Sequence, residues 1–527
     1  MKNVAPFTWF DRNLNAEQQH AVGAIVRARQ IRQGVPYIIF GPPGTGKTKT
    51  MCEAVLQMYR AHHCKVLVTA PSNTAADVLL EKLSSVVSRS EMLRFMAYNR
   101  SAGEVSIETK NYTYSFEEKE RVFSQPPLKK FLEYNIVVAT CCMAAKLYNL
   151  GVPSGHFDVI FIDEAGHAVE PEVVAAFSSL YAKGQQVVLA GDPLQLGPVV
   201  RSIANKCGLE QSYLERLGER AIYRSNTLSP DQNTKWKCQI PEAGYDNLGY
   251  DTRVITKLVR NYRSHSDILA LPNKLFYEGH LEASKLGTDP YRRSHTLTEW
   301  SELPAKGFPM IFHGIHGTNE QEANSPSWFN TAECTQVLSY VQNLVGGRGL
   351  NKVEPCDIGI VTPYAKQVEK LSKLLRQKGI KVGGNDVMIG SAEKFQGQER
   401  RVIIISTVRS SESFLEFDAK FNLGFVSNPK RFNVAVTRAQ ALLIVVGNSN
   451  ILGKDACWRE LLWKCFDNGA YTGMPPPSRT TDEEEERAGA LLQTFEDLHL
   501  DADSSDDDNH GPSRAEQQEG PEWRDAD

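Results

Sequence analysis

The segment GPPGTGKT at positions 41–48 constrains this chain more than any other. It follows an apolar run at 37–40 and precedes a helix-like segment at 49–59, which is the strand–loop–helix context of a phosphate-binding loop. In such a loop, successive backbone N–H groups converge on an anion, and the following helix adds the positive end of its dipole. The alternative is a chance turn rich in glycine.

If the loop binds a nucleotide, Lys47 is expected to reach the β- and γ-phosphates, and the Thr48 hydroxyl is expected to ligate Mg²⁺. ATP is the predicted nucleotide. The predicted nucleotide-binding residues of this segment are Gly41, Pro42, Pro43, Gly44, Thr45, Gly46, Lys47, Thr48 and Thr50.

Two later strand ends carry polar groups suited to the same nucleotide. Asp163 and Glu164 follow the apolar run 159–162, where Asp163 is predicted to hold Mg²⁺ and Glu164 to orient or deprotonate the attacking water. Gln195, in GDPLQL, is predicted to sense the γ-phosphate. Each segment taken alone is equally an ordinary turn after a buried strand.

Two arginines in the second half of the chain are candidates for stabilising charge on a transferring phosphoryl group. They are Arg263, in RNYRSH, and Arg438, in RFNVAVTRA. The alternative for each is a structural ion pair. Between them, Gly397 is predicted to allow close approach of the backbone to phosphate, and Glu399 to accept hydrogen bonds from ribose hydroxyls.

Short apolar runs alternate with helix-like segments in two successive sets, which predicts α/β architecture with parallel sheets. The predicted strands are 37–40, 66–69, 136–140, 159–162, 187–190, 310–313, 358–361, 387–389, 402–407 and 441–446. We therefore predict a first P-loop domain at 1–225, a linker or surface insertion at 226–253, a second domain at 254–478 and a disordered acidic tail at 479–527.

Charge is distributed unevenly along the chain. The net charge of −4 combines −14 over residues 481–527 with +10 over residues 1–480. A basic body suits a polyanionic partner, although an ordinary solvated surface explains it as well. No apolar run is long enough to span a bilayer, so no membrane association is expected. The ten cysteines include no CxxC pair, which argues against a zinc cluster and favours a reducing, cytosolic compartment.

The order of these motifs resembles that of superfamily 1 helicases. The resemblance rests on GPPGTGKT, DEAGH, GDPLQLGP, RNYRSH, EKFQGQE and RFNVAVTRA, together with a Q-motif-like LNAEQ at 14–18 and a motif-Ia-like APSNTAAD at 70–77. The pattern is similar to the branch of the nonsense-mediated-decay helicase. DEAGH, NSPSWFN at 324–330 and PEWR at 521–524 further resemble the Moloney leukaemia virus 10, Armitage and silencing-defective RNA helicases.

The resemblance implies a pair of RecA-like domains that bind ATP and Mg²⁺ in the cleft between them and travel 5′ to 3′ along single-stranded RNA. It implies that Gln18 reads adenine. It also implies cytoplasmic RNA granules (P-bodies) and silencing partners of the Argonaute type or the decay helicase; a monomer is expected. The RNA contacts that it implies are Ser72, Asn73, Thr140, Thr362, Pro363 and Arg431.

Three alternatives stay open on these residues. The same motifs serve DNA helicases, and a nucleotide-gated RNA-binding scaffold without much unwinding is a further possibility. For each predicted RNA contact, capping of a loop or helix is the competing role.

Overall fold

The computed structural model describes residues 8–30, 34–117, 122–200, 207–224, 247–323, 325, 327–347, 352–411, 425 and 428–479. The predicted acidic tail from residue 480 onward, PEWR and most of the predicted linker lie outside these residues. The described residues up to Met474 form one compact unit. Within the described part of the chain, no helix has the length and apolar character needed to cross a bilayer.

The first lobe is built on a seven-stranded parallel sheet. In chain order its strands are β1 (Tyr37–Phe40), β2 (Val66–Ala70), β3 (Met92–Phe95), β6 (Ile136–Thr140), β7 (Val159–Ile162), β8 (Gln186–Gly191) and β9 (Ile255–Lys257). Their spatial order is β3-β6-β2-β7-β8-β1-β9. A separate antiparallel hairpin pairs β4 (Ser115–Glu117) with β5 (Val122–Ser124).

Helices cover both faces of this sheet. In β1, Ile38 and Phe40 pack in one apolar core while Tyr37 and Ile39 pack in another, because successive side chains of a strand point to opposite faces. The helices are α1 (Ala16–Gln30), α2 (Lys47–Leu56), α3 (Asn73–Ser84), α4 (Ile107–Lys110), α5 (Leu128–Phe131), α6 (Cys141–Ala145), α7 (Glu170–Ser178) and α8 (Tyr213–Gly218).

The second lobe repeats the arrangement on a six-stranded parallel sheet in the order β14-β13-β15-β16-β10-β17. These strands are β10 (Met310–Gly314), β13 (Ile358–Val361), β14 (Met388–Gly390), β15 (Arg400–Ser406), β16 (Ala439–Gly447) and β17 (Tyr471–Gly473). A short antiparallel pair joins β11 (Glu320–Gln321) to β12 (Trp328–Phe329). The helices are α9 (Ser266–Phe276), α10 (Asp289–Ser294), α11 (Thr331–Val345), α12 (Ala365–Gln377), α13 (Pro429–Val436), α14 (Ser449–Leu452) and α15 (Ala456–Asp467).

The predicted fold class, two tandem α/β domains with parallel sheets, is confirmed. The structure adds strands that the sequence did not predict, among them β3, β9 and β17. β9 pairs with β1, so the first sheet takes a strand from beyond residue 254, where the second domain was predicted to begin.

Helix α9 contributes to the cores of both lobes. Leu269 packs in an apolar cluster of the first lobe, whereas Ile268 and Leu271 pack in a cluster of the second. The chain therefore passes between the lobes through a helix that both of them bury.

Candidate functional site

The loop after β1 wraps closely around side chains from two other segments. Gly44 and Gly46 have φ values of +70° and +83°, in the left-handed region that favours glycine. A Cβ on Gly44 would lie 2.5 Å from Cβ of Arg263, and one on Gly46 would lie 2.5 Å from Nε2 of Gln18. Gly44 is therefore required by conformation and by space, and Gly46 is required by conformation.

At the start of α2, two side chains of the loop reach the end of β7. Lys47 Nζ lies 2.8 Å from Glu164 Oε2, and the Thr48 hydroxyl donates to Asp163 Oδ2 at 3.1 Å. The predicted phosphate-binding lysine, water-handling carboxylate and Mg²⁺-binding pair thus meet at one point, at the carboxyl edge of the sheet.

Burial sets the electrostatics of this cluster. It raises the pKa of Asp163, an effect that the nearby charge of Lys47 only partly offsets. Burial is the largest single influence on Lys47 and Glu164 and disfavours both charges, but their attraction for each other and the other charges around them together outweigh it, which raises the pKa of Lys47 and lowers that of Glu164. Lys47 and Glu164 are therefore held as an ion pair.

Glu164 occupies a strained backbone conformation. Its φ is +50°, which is uncommon for a residue with a side chain, and its N–H donates to Asp163 Oδ1 at 2.9 Å. Strain of this kind costs of the order of 1–3 kcal/mol and is concentrated at functional sites. Here it turns the Glu164 side chain back toward Lys47.

The segment after β8 connects the two lobes. Asp192 is buried and accepts hydrogen bonds from Leu194 N at 3.0 Å and from Gln195 Nε2 at 2.8 Å. The other end of the Gln195 amide accepts a hydrogen bond from Arg438 Nη2. The predicted γ-phosphate sensor and one predicted arginine finger are therefore in direct contact.

Arg438 follows α13 and is fully enclosed. Its Nε donates to Val434 O at 3.1 Å, and its exposed fraction is 2%. Burial and the neighbouring charge of Arg263 lower the pKa of Arg438, while Glu164 opposes this shift. Arg438 thus lies within the electrostatic reach of the Lys47–Glu164 pair.

Arg263 lies in the same cleft, held by the second lobe. Its Nε donates to Glu399, and its Nη1 donates to Thr437 O at 3.2 Å. Glu399 also accepts from Gln440 Nε2 at 2.9 Å. The predicted ribose ligand Glu399 is therefore an ion-pair partner of the predicted finger Arg263.

Asn261 is a contact that the sequence did not predict. Its Nδ2 donates to Pro43 O at 2.7 Å, and its Oδ1 accepts from the backbone of Arg263 and Ser264 at 2.9 Å each. Tyr262 N donates to Gly44 O at 2.8 Å. The segment RNYRSH, at 260–265, is thus hydrogen-bonded directly to the phosphate-binding loop.

Other predicted nucleotide ligands have protein partners. Gln18 is 1% exposed; its Nε2 donates to Thr45 O at 3.0 Å, and its Oε1 accepts from Asn15 N at 3.0 Å. The Thr50 hydroxyl donates to Gly46 O at 3.0 Å. Gly397 has a φ of +69° and open space beside it. Contacts of Gln18 and Thr50 with a nucleotide stay predictions, and in this structure both residues support the loop.

The predicted RNA contacts of the first lobe follow β2 and β6, on the other half of the edge that carries the nucleotide residues. The Ser72 and Thr140 hydroxyls accept from the first turns of α3 and α6, at 3.1 Å and 3.3 Å. Asn73 Oδ1 accepts from Arg94 Nη2 at 3.2 Å, which leaves its NH₂ group to donate elsewhere. Capping, the alternative role, is what the structure shows for Ser72 and Thr140.

The predicted RNA contacts of the second lobe lie at the end of β13 and on α13. Thr362 is fully buried, and its hydroxyl has no hydrogen-bond partner among the described residues. Pro363 follows it and is half-buried. Arg431 donates from Nε to Glu393 Oε1 at 2.9 Å. An RNA contact by Arg431 requires this ion pair to open or to share its guanidinium.

A buried carboxyl group supports this part of the second lobe. Glu333 Oε2 accepts from the Ser406 hydroxyl at 2.6 Å and from Val408 N at 2.9 Å, and Val408 has a φ of +71°. Burial raises the pKa of Glu333 to about 7, because these hydrogen bonds only partly offset the loss of solvent. Glu333 thus holds the turn after β15 in an uncommon conformation.

Two family models, each described as an AAA domain, match residues 13–207 and 245–450. MOV-10 of Gallus gallus is 42% identical over 512 residues, covering 93% of this chain and 50% of that protein. RNA helicase Mov10l1 of Mus musculus is 43% identical over 478 residues, covering 89% and 37% respectively. The armi protein of Drosophila melanogaster is 37% identical over 515 residues, covering 92% and 41%.

The chain is a relative of the MOV-10, Mov10l1 and armi helicases. It spans half or less of the length of these relatives. A solved structure of the arterivirus nonstructural protein 10 helicase with DNA aligns with 81% of this chain and 64% of its own chain. The sequence identity is 14% and the TM-score is 0.35. The helicase relationship therefore rests on sequence, and the two parallel-sheet lobes agree with it.

Proposed function

We propose that this chain is an ATP-dependent translocase acting on single-stranded RNA in the 5′-to-3′ direction, able to remodel RNA or ribonucleoprotein. One observation carries the proposal. The side chains of Lys47, Glu164, Gln195, Arg263 and Arg438, drawn from both lobes, converge in one cleft. The curated relatives named RNA helicase favour RNA over DNA as the strand.

Mg²⁺ fits the residues at the start of α2. Mg²⁺ in nucleotide sites is held through one or two carboxylates, a hydroxyl and phosphate oxygens. Asp163 and Thr48 supply a carboxylate and a hydroxyl 3.1 Å apart, next to the loop that would hold phosphate. Bound there, Mg²⁺ would neutralise charge on the β- and γ-phosphates.

In the proposed cycle, Lys47 exchanges Glu164 for the phosphates of ATP. Release from Lys47 frees the Glu164 carboxylate to orient and deprotonate a water molecule. Arg263 and Arg438 then stabilise the charge that develops as the bond to the γ-phosphate breaks. Gln195 contacts Arg438 and so reports the loss of the phosphate to the second lobe.

The strand is proposed to lie across the carboxyl edges of both sheets. Ser72 and Asn73 are on the first lobe, and Thr362 and Pro363 are on the second, so each lobe offers a separate grip. Hydroxyl and amide groups on strand-end loops contact phosphate and ribose without reading the bases. Alternating grips, driven by opening and closing of the cleft, would produce steps along RNA.

The decisive test is ATP hydrolysis by this chain with and without matched single-stranded RNA and DNA. We expect stronger stimulation by RNA, since the 2′-hydroxyl distinguishes the two at a contact. Stronger stimulation by DNA would assign the chain to DNA. Binding of RNA that depends on nucleotide, without hydrolysis, would assign it to a nucleotide-gated scaffold.

The cellular role is proposed from family resemblance alone. We propose cytoplasmic RNA granules as the location, with Argonaute-type silencing proteins and the decay helicase as partners, and a monomeric chain. Imaging of the tagged chain in cells, together with co-purification in the presence and absence of RNase, tests location and partners. Its mass in solution tests the monomer.

A further inference from the structure

Tyr277 lies at the end of α9, between the two lobes, and is fully buried. Its hydroxyl donates to Asp192 Oδ2 at 2.8 Å and accepts from Asn433 Nδ2 at 2.8 Å. Asp192 belongs to the segment after β8 in the first lobe, and Asn433 belongs to α13 in the second. One phenolic oxygen therefore joins the two lobes with both of its hydrogen-bonding capacities in use.

A second connection joins the same two segments. Asp192 Oδ2 also accepts from Gln195 Nε2 at 2.8 Å, and Gln195 Oε1 accepts from Arg438, which follows α13. Asn433 Nδ2 donates in addition to Leu194 O at 2.9 Å. Asp192, Tyr277, α13, Arg438 and Gln195 thus form a closed hydrogen-bonded circuit between the lobes.

We propose that Tyr277 is a positioning residue that couples the state of the Gln195 loop to the placement of α13 and Arg438. This inference rests on the proposed ATPase function and adds to it the side chain that transmits the signal. A movement of Gln195 on loss of phosphate pulls on Asp192, and the Tyr277 hydroxyl passes that displacement to Asn433. Because every member of the circuit is buried, breaking one link leaves polar groups without compensation by water.

The geometry explains why a tyrosine serves here. The ring packs in an apolar cluster of the first lobe, so its orientation is held independently of the hydroxyl. Only the hydroxyl oxygen can donate to the carboxylate and accept from the amide at once. Phenylalanine would keep the packing and remove both hydrogen bonds.

The test compares Tyr277→Phe with Tyr223→Phe in the full chain. Tyr223 is a buried tyrosine whose hydroxyl donates to Pro36 O at 2.6 Å within the first lobe, so its substitution removes a buried hydroxyl that does not join the lobes. For Tyr277→Phe we expect KM for ATP to change less than about twofold, and stimulation of kcat by oligouridylate to fall about tenfold, the equivalent of one hydrogen bond to a charged group. Tyr223→Phe should keep the parent's stimulation.

The double variant Tyr277→Phe/Asn433→Leu should be no worse than the poorer single variant, since both substitutions break the same link. Stimulation that is unchanged in Tyr277→Phe, or that is lost equally in Tyr223→Phe with a matching fall in Tm, would overturn the inference.

Hydrogen exchange of the α13 amides separates this inference from the proposed function. On addition of Mg²⁺ and a non-hydrolysable ATP analogue, the parent should gain protection in 429–436, and Tyr277→Phe should bind the analogue without that gain. A parent that gains protection but does not hydrolyse ATP contradicts the proposed function alone. Equal gains of protection in the parent and in Tyr277→Phe contradict the proposed role of Tyr277 and leave the proposed function untouched.

Discussion

Lys47 Nζ lies 2.8 Å from Glu164 Oε2, and both side chains are largely enclosed, with exposed fractions of 11% and 19%. The cation assigned to phosphate and the carboxylate assigned to water therefore neutralise each other in this structure. A buried pair of this kind is costly to break on one side only, because the remaining charge has no partner. Phosphate is a suitable replacement partner for the lysine.

We expect Lys47→Ala to lower ATP turnover by about 100-fold or more, because the β- and γ-phosphates lose a preorganised cation. Steady-state hydrolysis and nucleotide binding measure the effect. Lys49→Ala is the matched control, since Lys49 lies on the same helix but pairs with Asp11 at the surface, at 2.7 Å. Normal turnover in Lys47→Ala would show that this loop is not the ATP-binding site.

Glu164→Gln should retain nucleotide binding and lower kcat by about 100-fold or more, because the amide cannot accept the proton from water. The variant should also hold RNA more tightly in the presence of ATP, since the closed form persists. Equilibrium RNA binding with ATP and with ADP checks this. Glu170→Gln, which alters a surface ion pair with Arg216, serves as the control. Parental turnover in Glu164→Gln would show that another group handles the water.

Asn73→Ala should weaken binding of single-stranded RNA about fivefold, the equivalent of one hydrogen bond, without changing hydrolysis in the absence of RNA. The reason is that Arg94 occupies Asn73 Oδ1 and leaves the NH₂ group to donate. Fluorescence anisotropy with labelled RNA measures the affinity. Thr74→Ala, at the exposed next position, is the comparison. Equal affinities would leave Asn73 with a structural role alone.

Stability should depend on pH through Glu333. Its pKa in the folded chain is raised to about 7, above the ordinary value of 4.5, so folding favours the protonated form. The stabilisation is complete below pH 4.5 and is lost as pH rises through 7. Glu333→Gln removes this dependence. The Tm of the variant minus the Tm of the parent should therefore increase from pH 5 to pH 8. Glu354→Gln, at an exposed carboxylate paired with Lys352, should track the parent. Parallel Tm profiles for Glu333→Gln and the parent would contradict the assignment.

Much of the fold was predictable because its strands are continuous apolar runs, the pattern of a sheet covered on both faces. The strands that escaped prediction carry a charge or lie at a sheet edge. Arg94 interrupts the apolar run of β3, where Asp77 pairs with it at 2.8 Å. Lys257 ends β9, and β17 is a three-residue edge strand. Tertiary partners that satisfy such charges are invisible in a local pattern.

The residues of the site also fall into those that the sequence predicted and those that it did not. Residues with a chemical signature at a fixed spacing, such as Lys47 and Asp163, were predictable from order and context. Asn261 and Tyr277 were not, since their partners lie 218 and 85 residues away in sequence and their types fit many loops. Glu399, which the sequence predicted as a ribose ligand, forms an ion pair in this structure with Arg263, the predicted arginine finger.

Helix α9 packs Leu269 into an apolar core of the first lobe and Ile268 and Leu271 into a core of the second. A rotation of one lobe against the other would therefore exchange close-packed contacts of this helix for others. Close packing of this kind allows the two lobes only a few stable arrangements relative to each other.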